Sequence, residues 1–249
     1  MHTLQGSDMQ KAKGLFEKYS NNQSVIFSVF ENHNDGCVYA DAVDTVHWAV
    51  LQTMFAQHFI AGEPTKNCAD EIENILFDVI LSEQSEKEIV AFSVSDQWDG
   101  ILQNVFRKRN GVSDGRKIFD FSLDLYRNAK RPKLSGDVVP VLEKRKTSPF
   151  AHADMWSAKI ISNGQTASYC NVIMVGHQKA EIDIHTGEAF RGKGYATAAA
   201  FMLIDKLLAE GLTPAWSAWP FRMESRHIAT KLGFVSAPDA MAWIWQEGM

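Results

Sequence analysis

The stretch that decides the fold is EAFRGKGYATAAAFMLIDKLLAEG, Glu188–Gly211. It follows an alternating segment, Lys179–Thr186, in which Ile182 and Ile184 alternate with Glu181, Asp183 and His185, the period of a strand. A loop with glycines at 192 and 194 then feeds a helix that opens on Ala196, Thr197, Ala198, Ala199 and Ala200. Phe201, Ile204, Leu207 and Leu208 form its apolar stripe, and Gly211 is placed to cap its C-terminus. A strand–glycine loop–helix start aims unpaired N–H groups and the positive end of the helix dipole at one point. Glycine permits close backbone approach, and Arg191 and Lys193 add formal charge. The stretch therefore reads as a phosphate or pyrophosphate site.

Three templates compete for it. The nucleotide loop GxxxxGK[ST] fits from Gly187 to Lys193 and fails at Gly194, where a magnesium-holding hydroxyl is required. The dinucleotide fingerprint GxGxxG has Gly192 and Gly194 but Thr197 in its third place. The pattern [RQ]xxGx[GA] is matched at every fixed position by Arg191, Gly194 and Ala196.

Working outward, the chain has 249 residues, room for one or two domains. It is 45% hydrophobic and 22% charged, which excludes extensive disorder. Its net charge of −5 gives no general nucleic-acid or anionic-membrane footprint. Residues 1–125 carry 10 basic and 19 acidic groups; residues 126–249 carry 15 and 11. The basic half is the half with the glycine loop. Cys37, Cys68 and Cys170 form no paired motif, the first residues contain no apolar leader, and no apolar run is long enough to span a bilayer; a reduced cytoplasmic protein is expected.

In the first half the sequence predicts a helix from Ser7 to about Tyr19, a strand over Val25–Phe30, a turn at Asn32–Gly36 and a returning strand over Cys37–Ala42. Val46–Ile60 is apolar with weak periodicity, so two further strands are expected there, with a helix equally compatible. A helix carrying Ile72, Ile75, Leu76, Val79 and Ile80 follows, then a strand at Glu88–Val94. Next come a helix capped by Asp96 and a strand over Lys117–Leu125. Arg127–Lys133 suggests a linker near 126–136. Beyond it, Phe150–Trp156 reads as a short helix, and Lys159–Ile161 with Thr166–Val175 as a hairpin turned by Asn163–Gly164. His47, His58, His152, His177 and His227 show no metal-ligand spacing, so no metal is expected. Trp216, Trp219, Trp243 and Trp245 read as core, and Cys170 as a buried, inert thiol.

The flanks of the loop make it specific. Residues 137–246 resemble a GCN5-related N-acetyltransferase domain. The likeness is carried by AEIDIHT (Ala180–Thr186), RGKGYA (Arg191–Ala196), TPAWSAW (Thr213–Trp219) and SRHIATKLGF (Ser225–Phe234). The whole length is similar to the branch that includes the zwittermicin A resistance acetyltransferase. The resemblance implies a mixed α/β (α+β) fold, a twisted mixed sheet flanked by helices. Residues 131–249 would form the acetyltransferase domain, and 1–130 an N-terminal α/β domain compatible with a degenerate copy of that fold. It implies acetyl-CoA as cofactor and direct attack by a primary amine, of a small molecule or a peptide, through a tetrahedral intermediate. The loop Arg191, Gly192, Lys193, Gly194, Tyr195 and Ala196 would bind pyrophosphate. Main-chain groups of Ile184, His185 and Thr186 would follow the pantetheine. Glu181 is the first choice for general base; Asp183 and His185 share its face by the period-two rule. Two departures stand out: Ala229 occupies the usual tyrosine acid position, and Arg222 or Ser225 stands where relatives place a cofactor-contacting asparagine. A catalytically silent CoA-binding protein and a nucleotide phosphotransferase remain the rival readings.

Overall fold

The computed structural model describes residues 1–84, 87–134 and 137–248. The chain forms two compact units, residues 1–116 with 239–249, and residues 117–238. The expected boundary at 130/131 lay in a linker at 126–136, whose last two residues fall outside the described residues. The described part of that linker lies wholly within the second unit.

The first unit runs β1 (His2–Leu4), a 3-10 turn at Gly6–Met9, α1 (Gln10–Phe16), α2 (Gln23–Phe30), β2 (Gly36–Ala40), β3 (Trp48–Thr53), β4 (Gln57–Gly62) and α3 (Cys68–Glu73). A π-helical segment, Asn74–Ile80, continues α3 into α4 (Leu81–Glu83), followed by β5 (Glu88–Ser93), α5 (Asp99–Lys108) and β6 (Val112–Phe121). Strands β1 to β4 pair antiparallel, and β5 returns parallel to β4. Helix α3, the π-helical segment and α5 bury Ile72, Ile75, Leu76, Leu102 and Phe106 against Trp48, Val50 and Ile60 of the sheet.

Four elements expected in the first half of the sequence differ. Val25–Phe30 is a helix, not a strand: Ser24 to Phe30 are all buried, so the run is apolar on every side and no period distinguishes helix from strand. The N-terminal helix starts with a 3-10 turn and ends at Phe16. The helix after Asp96 begins only at Asp99. Lys117–Leu125 is strand to Phe121 and then α6 (Leu123–Asn128), which Ser122 caps by accepting from the Leu125 N–H.

After α6, the second unit runs β7 (Val138–Arg145), β8 (Met155–Ser162), β9 (Gln165–Gly176), β10 (Lys179–Thr186), α7 (Tyr195–Ala209), β11 (Thr213–Ala218), α8 (Met223–Lys231) and β12 (Phe234–Ser236). Phe150–Trp156 is a turn leading into β8, not a helix. Asn163 and Gly164 both have positive φ, as a primed hairpin turn requires. Strands β7 to β10 pair antiparallel, β11 lies parallel to β10, and α7 packs on the sheet through Phe201, Leu203, Ile204 and Leu207.

The last strand, β13 (Ala240–Gln246), returns to the first unit and inserts between β5 and the first part of β6. In the second unit the remainder of β6 stands between β11 and β12. Each unit thus has the same order: an antiparallel meander, a parallel strand reached through a helix, one inserted strand, and a closing strand. Trp243 belongs to the first unit's core and Trp216 to the second's. No helix of the described residues is long and apolar enough to cross a membrane.

Candidate active site

Strand β10 pairs with β9 along its whole length but with β11 only over Lys179–Glu181 against Thr213–Ala215. Beyond that rung β11 turns to β6, through Trp216–Ala218. Ile182–Thr186 therefore have no strand on that side among the described residues. Backbone polar groups left by such a splay require a partner, which an extended ligand can supply.

Glu181 sits on the last shared rung. It is 7% exposed, and Ser217 donates to its Oε1 across 3.0 Å. The register places Ala180, Ile182 and Ile184 towards α7, where they join the core, and Glu181, Asp183 and His185 on the opposite face. Asp183 is exposed. Its charge and burial together push the Tyr169 phenol up, burial being the larger cause. His185 is exposed and stacks on Tyr169 with ring centroids 5.4 Å apart. Its carbonyl accepts from Ser168 at 2.8 Å, and the Thr186 hydroxyl lies 2.9 Å from the same Ser168 oxygen.

After Thr186, a 3-10 turn at Glu188–Phe190 brings the chain to Arg191. Gly192 and Gly194 both have φ of +78°, which only glycine adopts without strain. Gly194 is the N-cap of α7 and offers no side chain to the first-turn N–H groups, which stay available to an anion. Lys193 lies 5.4 Å from the Phe190 ring centroid, and Phe190 packs on Tyr195. Tyr195 is 6% exposed and part of the core, so only its main chain faces the loop. The uncapped amides, the two left-handed glycines and the cations Arg191 and Lys193 fit a pyrophosphate. The cradle contains no side-chain hydroxyl between Gly192 and Tyr195, as a magnesium-holding nucleotide loop would need.

Ser225 accepts from the Trp216 indole at 3.1 Å, a bond that ties α8 to β11. Arg222 stands at the N-cap of α8, exposed over Phe221. Ala229 is fully buried in the core. Cys170 is buried and its thiol is pushed up, mainly by burial. Among the described residues no group of three or more His, Cys, Asp and Glu is placed to hold a metal ion.

Sequence reasoning missed Ser217 and Tyr169. The alternation of TPAWSAW signals the first, because Ser217 lies opposite Trp216 and Ala218. Tyr169 could not be placed from the hairpin alone. Glu181 pairs with Met174 and Ile182 with Val172, so Ile173 bulges and shifts the register by one.

The chain is 25% identical over 232 residues to the uncharacterized N-acetyltransferase YdfB of Bacillus subtilis (strain 168), covering 86% of this chain and 87% of that protein. The fold is similar to a GCN5-related N-acetyltransferase-like protein from Streptococcus suis 89/1591, with a TM-score of 0.71, 20% identity, and 96% and 99% of the two chains covered. It is also similar to a tandem GNAT protein from the clavulanic acid biosynthesis pathway, with a TM-score of 0.63, 9% identity, and 98% and 95% covered. These likenesses run through both units, so the N-terminal half is GNAT-like as well. The glycine loop, the splayed strand before it and the parallel strand after it all fall within residues 110–239, more than half of the sequence, which match the GNAT acetyltransferase family; to that family the chain belongs.

Proposed function

We propose that the protein transfers the acetyl group of acetyl-CoA to a primary amine of a small molecule or peptide, by direct attack. The observation that carries this reading is the splay of β10 from β11 with a buried carboxylate, Glu181, on its last closed rung. The loop Arg191–Ala196 holds the pyrophosphate on main-chain amides. Ile184, His185 and Thr186 lie along the pantetheine, and a main-chain donor at the splay faces the thioester oxygen as charge builds there; such a donor is worth ~3 kcal/mol. The amine nitrogen bonds to the acetyl carbon, giving a tetrahedral intermediate. Glu181 takes the amine's proton, directly or through water, and the carbon–sulfur bond breaks. Asp183 and His185, exposed on the same face, line the acceptor's approach. No side chain at position 229 protonates the leaving thiolate, which leaves as the anion or takes a proton from water.

The sequence motifs and the preceding unit also support membership of the branch that includes the zwittermicin A resistance acetyltransferase. Three cysteines without disulfide partners accord with a reducing cytoplasmic setting.

The test is calorimetry followed by a thiol-release assay over a panel of amines. Acetyl-CoA binding without magnesium, with thiol release on at least one amine, is the expected result. Preference for ATP-magnesium would overturn the reading in favour of phosphotransfer. Acetyl-CoA binding with no turnover on any amine would favour a silent binding protein.

A further inference from the structure

The segment before β7 is pinned against α7. Arg131 makes a two-point pair with Asp205, at 2.7 and 2.8 Å, and its guanidinium lies 4.6 Å from the Phe201 ring centroid. Tyr126 braces the same carboxylate, donating to Asp205 at 2.8 Å. Ala129 and Leu134 pack against the core on either side. Between them, Pro132 meets the phosphate loop: a Cβ added to Gly194 would lie 3.3 Å from the Pro132 Cβ. The strap is therefore fixed along the helix and touches the N-cap of α7.

Arg131 is neutralised by Asp205, so its role is mechanical. Lys133 is not: it is exposed and, among the described residues, pairs with no carboxylate. Its Cα follows that of Pro132 at about 3.8 Å, which brings a flexible ammonium within reach of the loop, where Arg191 and Lys193 pair with no carboxylate among the described residues. The loop caps the positive end of α7 at Gly194, where anions are favoured.

Given the acetyl-CoA reading, we propose that Lys133 is a further phosphate-binding residue for acetyl-CoA, delivered to the glycine loop by the strap that Arg131 and Asp205 pin. Arg131 acts as its positioning residue.

The experiment measures acetyl-CoA affinity by calorimetry at low and high salt, for the unaltered protein, Lys133→Met, Lys133→Arg, Lys130→Met and Asp205→Asn, with thermal midpoints as the folding control. Lys133→Met is expected to weaken binding about tenfold, the value of one charge-assisted hydrogen bond, with a shallower salt dependence and an unchanged midpoint. Lys133→Arg retains affinity. Lys130→Met, the same charge change on the far side of Arg131, stays within about twofold. Asp205→Asn weakens binding, and combining it with Lys133→Met adds little. Normal affinity in Lys133→Met, or equal losses in Lys130→Met and Lys133→Met, overturns the assignment of Lys133 alone. Failure of the unaltered protein to bind acetyl-CoA overturns the transferase reading, and this inference with it.

Discussion

The Ser217 hydroxyl donates to Glu181 Oε1 across 3.0 Å, joining β11 to β10 at the last rung before the two strands part. A carboxylate that is 7% exposed at the mouth of a splay needs such a donor to stay buried. The same bond fixes its direction relative to the opening. If Glu181 is the base, Glu181→Gln lowers kcat by about 10²- to 10⁴-fold, the usual range for removing a general base, and leaves acetyl-CoA affinity nearly intact. Ser217→Ala, which removes only the orienting donor, lowers it less. In the double variant the two losses are far from additive, because both act on one group. Steady-state rates with direct binding measurements decide this; full turnover in Glu181→Gln removes Glu181 from the mechanism.

The two loop glycines separate conformational need from steric need. Both have φ of +78°, but a Cβ at Gly192 would meet nothing within 4 Å, whereas one at Gly194 would press on Pro132. Gly192→Ala therefore costs about 1 kcal/mol of left-handed strain. Gly194→Ala costs more and shifts the strap as well. The Gly194 variant should show the lower thermal midpoint and the weaker acetyl-CoA binding. The reverse order would mean that the strap yields freely.

The loop and its helix were legible in sequence because glycine at a left-handed position and a strand-to-helix change of period are both local signals. The start and end of β10 were read to the residue for the same reason. The face proposed to hold the base was legible in part. Period-two alternation grouped Glu181, Asp183 and His185, but said nothing of burial, and the structure buries only Glu181. What escaped the sequence was non-local. Val25–Phe30 is apolar all round, so its helical state is decided by neighbours on every side. The return of β13 to the first unit, and the contact of Pro132 with Gly194, join residues far apart in the chain, where spacing carries no information. The basic run Arg127–Lys133 was visible, yet its charge pattern alone read as a linker.

His58 makes the first unit acid-sensitive. It lies fully buried on β4, flanked across the sheet by Gln52 and contacted by Gln84 Nε2 at 3.3 Å, and burial lowers its pKa to about 3. The folded state holds the ring neutral, whereas the unfolded chain protonates it near the ordinary value of 6.5. Its contribution is thus complete above about pH 6.5 and declines as pH falls towards 3. At pH 4.5 the loss is about 2–3 kcal/mol. Urea denaturation at pH 7 and pH 4.5 should show that drop in the unaltered protein and a smaller one in His58→Met. Identical acid losses would place the sensitivity elsewhere.

Position 229 offers a direct check on how the thiolate leaves. The family resemblance implies a tyrosine acid at that place, and Ala229 could be read as a lost catalytic group that a single change restores. The structure argues otherwise. Ala229 is fully buried within the core that also holds Trp216 and Phe234, so its Cβ faces packed side chains rather than the splay. A phenol at that point has no room without moving α8, and overpacking of this kind typically costs 1–3 kcal/mol or more. Moving α8 would also strain the Trp216–Ser225 bond that ties it to β11. Ala229→Tyr is therefore expected to lower the thermal midpoint and leave kcat unimproved across the pH range. A rise in kcat with a new limb on the alkaline side would show that the phenol reaches the sulfur, and that α8 can turn the residue outward.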